Sequence, residues 1–141
     1  MDNQLFRSCG QGLTGQWTSR NIIPDGRHTF KLRGTDNRGN TVDITVDNWL
    51  IDTVPPTITF NDPPARTTSF PSISWQSTES AVFECSLDNG RYENCSSGRT
   101  GTWNGNDLRD GRHYLSVRGR DSAGNIGRIV THQFDVGKFC L

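Results

Sequence analysis

Three histidines, fifteen acidic side chains, fifteen basic ones and four cysteines are the groups in this chain able to move protons, hold metals or form covalent bonds. Histidine catalysis needs a nucleophile on one ring nitrogen and an orienting group on the other. His28 and His113 instead occupy one phrase written twice, Asp25-Gly26-Arg27-His28 and Asp110-Gly111-Arg112-His113, while His132 stands apart. A histidine recurring at the same strand entrance in two copies reads as a structural filler rather than a general base. No spacing suggests a Ser-His-Asp or Cys-His set, and "GQGLTGQW" at 10–17 lacks the Lys-Ser/Thr ending of a phosphate loop. The chain is therefore read as a non-enzyme without a cofactor.

The carboxylates raise calcium, which takes several oxygen ligands. Asp36, Asp52 and Asp88 are the candidates, at strand ends or turns. The EF-hand spacing is absent, however, and "DNRGN" and "DSAGN" offer one carboxylate each, so turn capping is the expected duty and no metal is expected. Asn94-Cys95-Ser96 fits the acceptor pattern for an N-linked glycan, although a central cysteine makes a poor acceptor. Trp17 and Trp103 each stand eight residues after a cysteine, Cys9 and Cys95, in Gly-, Thr- and Asn-rich segments that read as loops. Such an indole either stacks on a sugar or a neighbouring subunit, or folds over a disulfide or the end of a sandwich. Trp49 and Trp75 fall in strand-like runs and read as core.

The elements that must carry these residues follow from composition. Apolar residues make up 31% of 141, with fifteen glycines and six prolines spread along the chain. No stretch shows the i, i+3, i+4, i+7 spacing of a long amphipathic helix, so short strands and many turns are expected. Charges cancel, which removes the basic footprint that nucleic acid or an anionic membrane would require. No run approaches the ~18 apolar residues of a membrane helix, so membrane insertion is not expected. "MDNQLFRSCGQG" lacks the segments of a signal peptide. A secreted protein would be represented here by an internal piece.

The doubled phrase extends further: Arg33-Gly34 matches Arg118-Gly119, Asp36 matches Asp121, and Gly39-Asn40 matches Gly124-Asn125 at identical spacing. Alternation places His28, Phe30, Leu32 and Gly34 on one face, and His113, Leu115, Val117 and Gly119 likewise. Asp-Gly before the strand and Asp-x-x-Gly-Asn after it are turn chemistry. Only the second copy has a front half: an opening strand at 57–60, strands at 72–75 and 82–87, and a tight turn at Asn89-Gly90. The organisation read from this is the C-terminal half of a module over 1–53, a complete module over 54–137, and the start of a linker or tail at 138–141.

The run Phe83-Glu84-Cys85-Ser86-Leu87-Asp88-Asn89-Gly90, then Cys95, then Leu108-Arg109-Asp110-Gly111 and the strand to Gly124-Asn125, resembles a known repeat. It is similar to tandem immunoglobulin-like or fibronectin type III-like modules of large bacterial, algal and other eukaryotic surface or secreted proteins, flagellar mastigonemes included. The likeness covers 54–137, and 9–52 as a half copy; Gly34 and Gly119 stand where that family often has Ala. It implies an all-β antiparallel sandwich, a disulfide between Cys85 and Cys95, and an extracellular or cell-surface location. By the repeat alignment Cys9 is the second cysteine of the truncated copy, and Cys140 has no counterpart before Pro55. Either Cys9 pairs with Cys140, within or between chains, or each has its partner outside this stretch.

The implied function is a structural repeat that sets the length and stiffness of a stalk, fibre or filament, with "DTVPP" at 52–56 as a stiff joint. Its partners would be neighbouring modules or other chains of the same assembly. The alternative is an adhesion or carbohydrate-binding module that meets glycans through Trp103 or Trp17. Strands at 28–35 and 41–52, lacking their front strands, are expected to leave an apolar face and unpaired edges for a neighbouring chain or the second module to cover.

Overall fold

The structure is a computed structural model that describes residues 8–13, 16–19 and 22–137. The chain forms two compact units, Met1–Thr53 and Val54–Leu141. Every regular element among the described residues is a strand.

In the first unit β1 (Gly26–Thr35) and β2 (Thr41–Ile51) form an antiparallel pair. Their connection is held by one carboxylate. Asp36 accepts the backbone N–H of Arg38 and of Asn40, each at 2.8 Å, and the Asn40 side-chain amide at 2.7 Å. Gly39 supplies the positive φ of 85° that this return needs. The ladder slips between His28 and Phe30, opposite Asn48, whose φ is 58°. At the open end Asp25 accepts the backbone N–H of Thr53 at 3.1 Å and its hydroxyl at 2.9 Å, tying entry to exit.

The second unit contains β3 (Ile58–Phe60), β4 (Arg66–Thr67), β5 (Ser72–Leu87), β6 (Glu93–Asn104), β7 (Gly111–Arg120) and β8 (Val130–Val136). Strands β5 and β6 make one long antiparallel hairpin whose register breaks between Gln76 and Ala81. Before the break β5 pairs with β3; after it, Val82–Leu87 pairs with β7, which continues to β8 and, in parallel, to β4. The bent hairpin thus contributes to two layers. Side chains of the first meet those of the second: Phe60 approaches His132, Trp75 lies edge-on to Phe83 and Trp103 tilts against Phe134. This is a β-sandwich, and its core is Ile58, Ile73, Trp75, Phe83, Leu115, Val117, Phe134 and Val136 with the disulfide-bonded Cys85. Each large apolar side chain so buried contributes roughly 1.5–3 kcal/mol, which is how a chain of low apolar content holds one core.

The doubled phrase folds the same way twice. Asn125 binds Asp121 through its backbone N–H at 2.9 Å and its side-chain amide at 2.8 Å, as Asn40 binds Asp36, and Gly124 has φ 95°. His28 donates from Nε2 to the Pro24 carbonyl at 2.8 Å, and His113 to the Arg109 carbonyl at 2.9 Å.

Several expectations need correction. The segments 72–75 and 82–87 belong to one bent strand, because pairing with β6 persists on both sides of the irregularity. The tight turn lies one residue earlier than Asn89-Gly90. Asp88 and Asn89 hold φ of 50° and 61°, and the Gly90 N–H donates to the Leu87 carbonyl, so Asp88-Asn89 is the central pair of a type I′ turn. Trp103 is the penultimate residue of β6, not a loop residue. Trp49 is not core: it remains 37% exposed, because the described part of its unit contains one two-stranded sheet and no second sheet to pack on it.

Candidate functional site

An open groove of about 500 Å³ lies beside the Cys85–Cys95 disulfide. The hairpin builds it. With Asp88-Asn89 closing the turn, Cys85 sits opposite Glu93, and the disulfide crosses between β5 and β6. Leu87, Leu108 and Trp103 form its apolar walls, while Arg91, Glu93 and Asn94 supply polar edges. Gly105 is required where it stands, since a Cβ there would run into the Pro71 ring and the Trp103 indole. Trp103 is thereby pressed into the sandwich, its ring 6.4 Å from that of Phe134. An indole so anchored presents one fixed surface to the groove rather than a swinging arm.

Trp17, the counterpart in the first unit, does the same against the hairpin, 5.2 Å from the Phe30 ring and 6.4 Å from Trp49. Both tryptophans are half-buried against their own unit. Asn94 is exposed on β6 and lines the groove.

The histidines are placed as ring spacers. His113, across the ladder, and His132, two residues earlier on β8, each stack with Phe134, at 5.7 and 6.1 Å between centroids. His132 donates to the Pro64 carbonyl at 2.9 Å. His113 is held at both nitrogens, by the Arg109 carbonyl and by the Asp88 carboxylate at 2.8 Å, and these two bonds raise its pKa above the ordinary value.

Asp36 and Asp88, calcium candidates from the sequence, each serve a local structure. The bonds to the side chain and backbone of Asn40 hold Asp36 below the usual carboxylate range. Asp88 accepts the Tyr114 backbone N–H at 2.9 Å besides His113. Asp52 is half-buried just beyond β2. Cys9 is exposed and has no disulfide partner among the described residues; Cys140 and the tail at 138–141 lie outside them.

Two arrangements escaped the sequence. One is the Asp88–His113 pair. The other is Arg118, which donates to Glu84 at 2.6 Å and lies 4.5 Å over the Tyr92 ring on the outer face of β5 and β7. Alternation puts Glu84 and Arg118 on outward faces, but that these faces adjoin is decided by the β5–β7 register.

No family model and no curated protein matches this chain. Among solved structures it is similar to a chain from Clostridium thermocellum described as CbhA fibronectin(III)-like modules. The two share 16% identity at a TM-score of 0.47, over 81% of this chain and 64% of that one. The chain therefore spans less than two thirds of that structure's length.

Proposed function

We propose that this chain is a structural segment of a multi-module extracellular polypeptide, spacing and orienting its neighbours rather than transforming or capturing a small molecule. The carrying observation is that two polar positions of the doubled phrase, its turn aspartate and its strand-entrance histidine, repeat the same bonds in both copies and use them to hold a hairpin. Asp36 and Asp121 bind their turns, and His28 and His113 bind the carbonyl four residues back. A turn and a histidine contact kept in both copies of a phrase within one chain are what repetition of a building unit requires. The Cys85–Cys95 disulfide supports a location outside the reducing cytosol.

Force spectroscopy on the chain between two marker domains tests this. Residues 54–137 should unfold as one cooperative event whose length increment excludes the residues enclosed by Cys85–Cys95, and regain that increment on reduction. Gradual yielding at forces below those of the markers would speak against a spacer.

The second reading, glycan binding, is favoured by the Trp103 wall of the groove with its polar edges. A glycan array decides it: saturable binding abolished by Trp103→Ala, with the fold retained, would replace the spacer reading.

A further inference from the structure

Two hairpins with the same turn and the same histidine contact, differing in where the ladder slips, occur in different surroundings, and the better covered one is a template for the other. In the second unit the inner face of β7 and β8 is closed: Leu115, Val117 and Phe134 are at most 1% exposed, in one core with Trp75 of the opposite layer and Phe83 of the adjoining strand. Along the edge of β7 away from β8, Val82–Leu87 pairs with residues 115–120. The corresponding face of the first unit carries Phe30 opposite Val46, Leu32 opposite Ile44 and Gly34 opposite Val42. Here Leu32 is 40% exposed, Val42 62%, Ile44 54% and Val46 51%. Among the described residues no strand lies along the other edge of β1.

The lead-in also matches. Trp103 follows Cys95 by eight residues and rests 6.4 Å from Phe134, which pairs with His113. Trp17 follows Cys9 by eight residues and rests 6.4 Å from Trp49, which pairs with His28. Cys9 is thus the counterpart of Cys95, exposed and without a disulfide partner among the described residues, where Cys95 has Cys85.

From this correspondence we infer that the β1–β2 face is an acceptor for the front half of a module of the same class. The donor is a strand of the Val82–Leu87 type laid antiparallel along residues 30–35, with an aromatic side chain like Phe83 opposite Gly34, and an indole like Trp75 from the facing layer seated on Leu32, Ile44 and Val46. Its cysteine bonds to Cys9. Two thiols become one S–S bond, releasing two protons and passing two electrons to a disulfide oxidant, which is reduced to two thiols. An uncovered face of this size on a two-stranded sheet is unstable alone, and a matching layer is what such a hairpin needs for independent stability. The inference rests on the repeat-module reading above.

The test is the full chain extended by a second copy of residues 54–94 placed directly ahead of Cys9, the order found in the second unit, and refolded in glutathione disulfide. The expected result is a disulfide between the added Cys85 copy and Cys9 by peptide mapping, and amide exchange at residues 30–35 slowed by roughly a hundredfold or more. A second extension, with the Trp75 and Phe83 copies changed to Ser, keeps the cysteine and should lose the protection. The inference is overturned if residues 30–35 exchange as fast in the first extension as in the original chain. It is equally overturned if the original chain is already a dimer with those amides protected and Ile44→Lys dissolves it, since the occupant is then a second hairpin. Neither outcome touches the force response of residues 54–137, so failure of the acceptor and failure of the spacer reading are told apart.

Discussion

His113 Nδ1 lies 2.8 Å from Oδ2 of Asp88, and its Nε2 lies 2.9 Å from the Arg109 carbonyl. Both ring nitrogens therefore face acceptors, and only the doubly protonated imidazolium can donate to both. The Asp88 carboxylate is placed by the Tyr114 N–H at 2.9 Å, so one pair joins the β5–β6 turn to the entrance of β7.

Stability of the second unit is accordingly expected to depend on pH through His113. Its folded pKa is raised, first by the Arg109 carbonyl and then by Asp88, against the opposing effect of burial. A raised pKa means the contribution is fully present below the ordinary value near 6.5 and is lost as pH rises through the folded value. Melting curves from pH 5.5 to 9 should show the wild type losing its advantage over His113→Asn across that upper window. Parallel curves for the two proteins would refute the assignment.

Opening the Cys85–Cys95 bond should lower the stability of residues 54–137 by about 3 kcal/mol, the loop-closure value for a short bridge. Denaturant titration of the Cys85→Ser/Cys95→Ser double variant measures this. The double substitution is preferable to a single one, which leaves a thiol against the core.

Gly101→Ala is expected to destabilise the second unit by about 1–3 kcal/mol, the usual range for overpacking. A Cβ at 101 would enter the Trp75 indole, which is fully buried and has nowhere to retreat. Gly34→Ala is the contrast: the added carbon meets only a Val42 methyl at 3.4 Å, an ordinary contact, and its effect should be small. Unfolding midpoints of both variants provide the comparison.

Removing the Asp121 side chain should loosen the β7–β8 connection. Burial pushes its pKa up, but the Asn125 side chain and the backbone N–H groups of Asn125, Ala123 and Gly124 together bring it below the usual range. Those groups lose their acceptor in Asp121→Ala. Faster amide exchange at 122–125 and a lower melting point for the second unit are expected, while the Asp36 turn in the first unit remains as it was.

Much of the second unit was legible because its signals are local. Alternation marked Leu115 and Val117 as inward, and they are buried; Asp-x-x-Gly-Asn announced a return that Asp121 and Asn125 make through bonds within five residues. The turn at Asp88-Asn89 was displaced by one residue because Asp, Asn and Gly all tolerate positive φ, and the side-chain types alone do not set the register. Trp49 misled for a different reason. Its strand alternates like a buried one, yet burial depends on a second layer, and a strand's own pattern does not say whether that layer is present.

Taken by itself, the sequence determined that this protein is built of strands, that one hairpin is written twice, and that each copy turns its histidine, apolar and glycine positions to one side. These are consequences of φ preferences and of a period of two, which act within a few residues. The tertiary structure alone decided that β5 bends to serve two layers, that Arg118 reaches Glu84, that Asp88 reaches His113, and that Trp103 is fixed against Phe134. Those pairings join residues tens of positions apart, and what selects them is the register of the β5–β7 ladder and the packing of one sheet face on another.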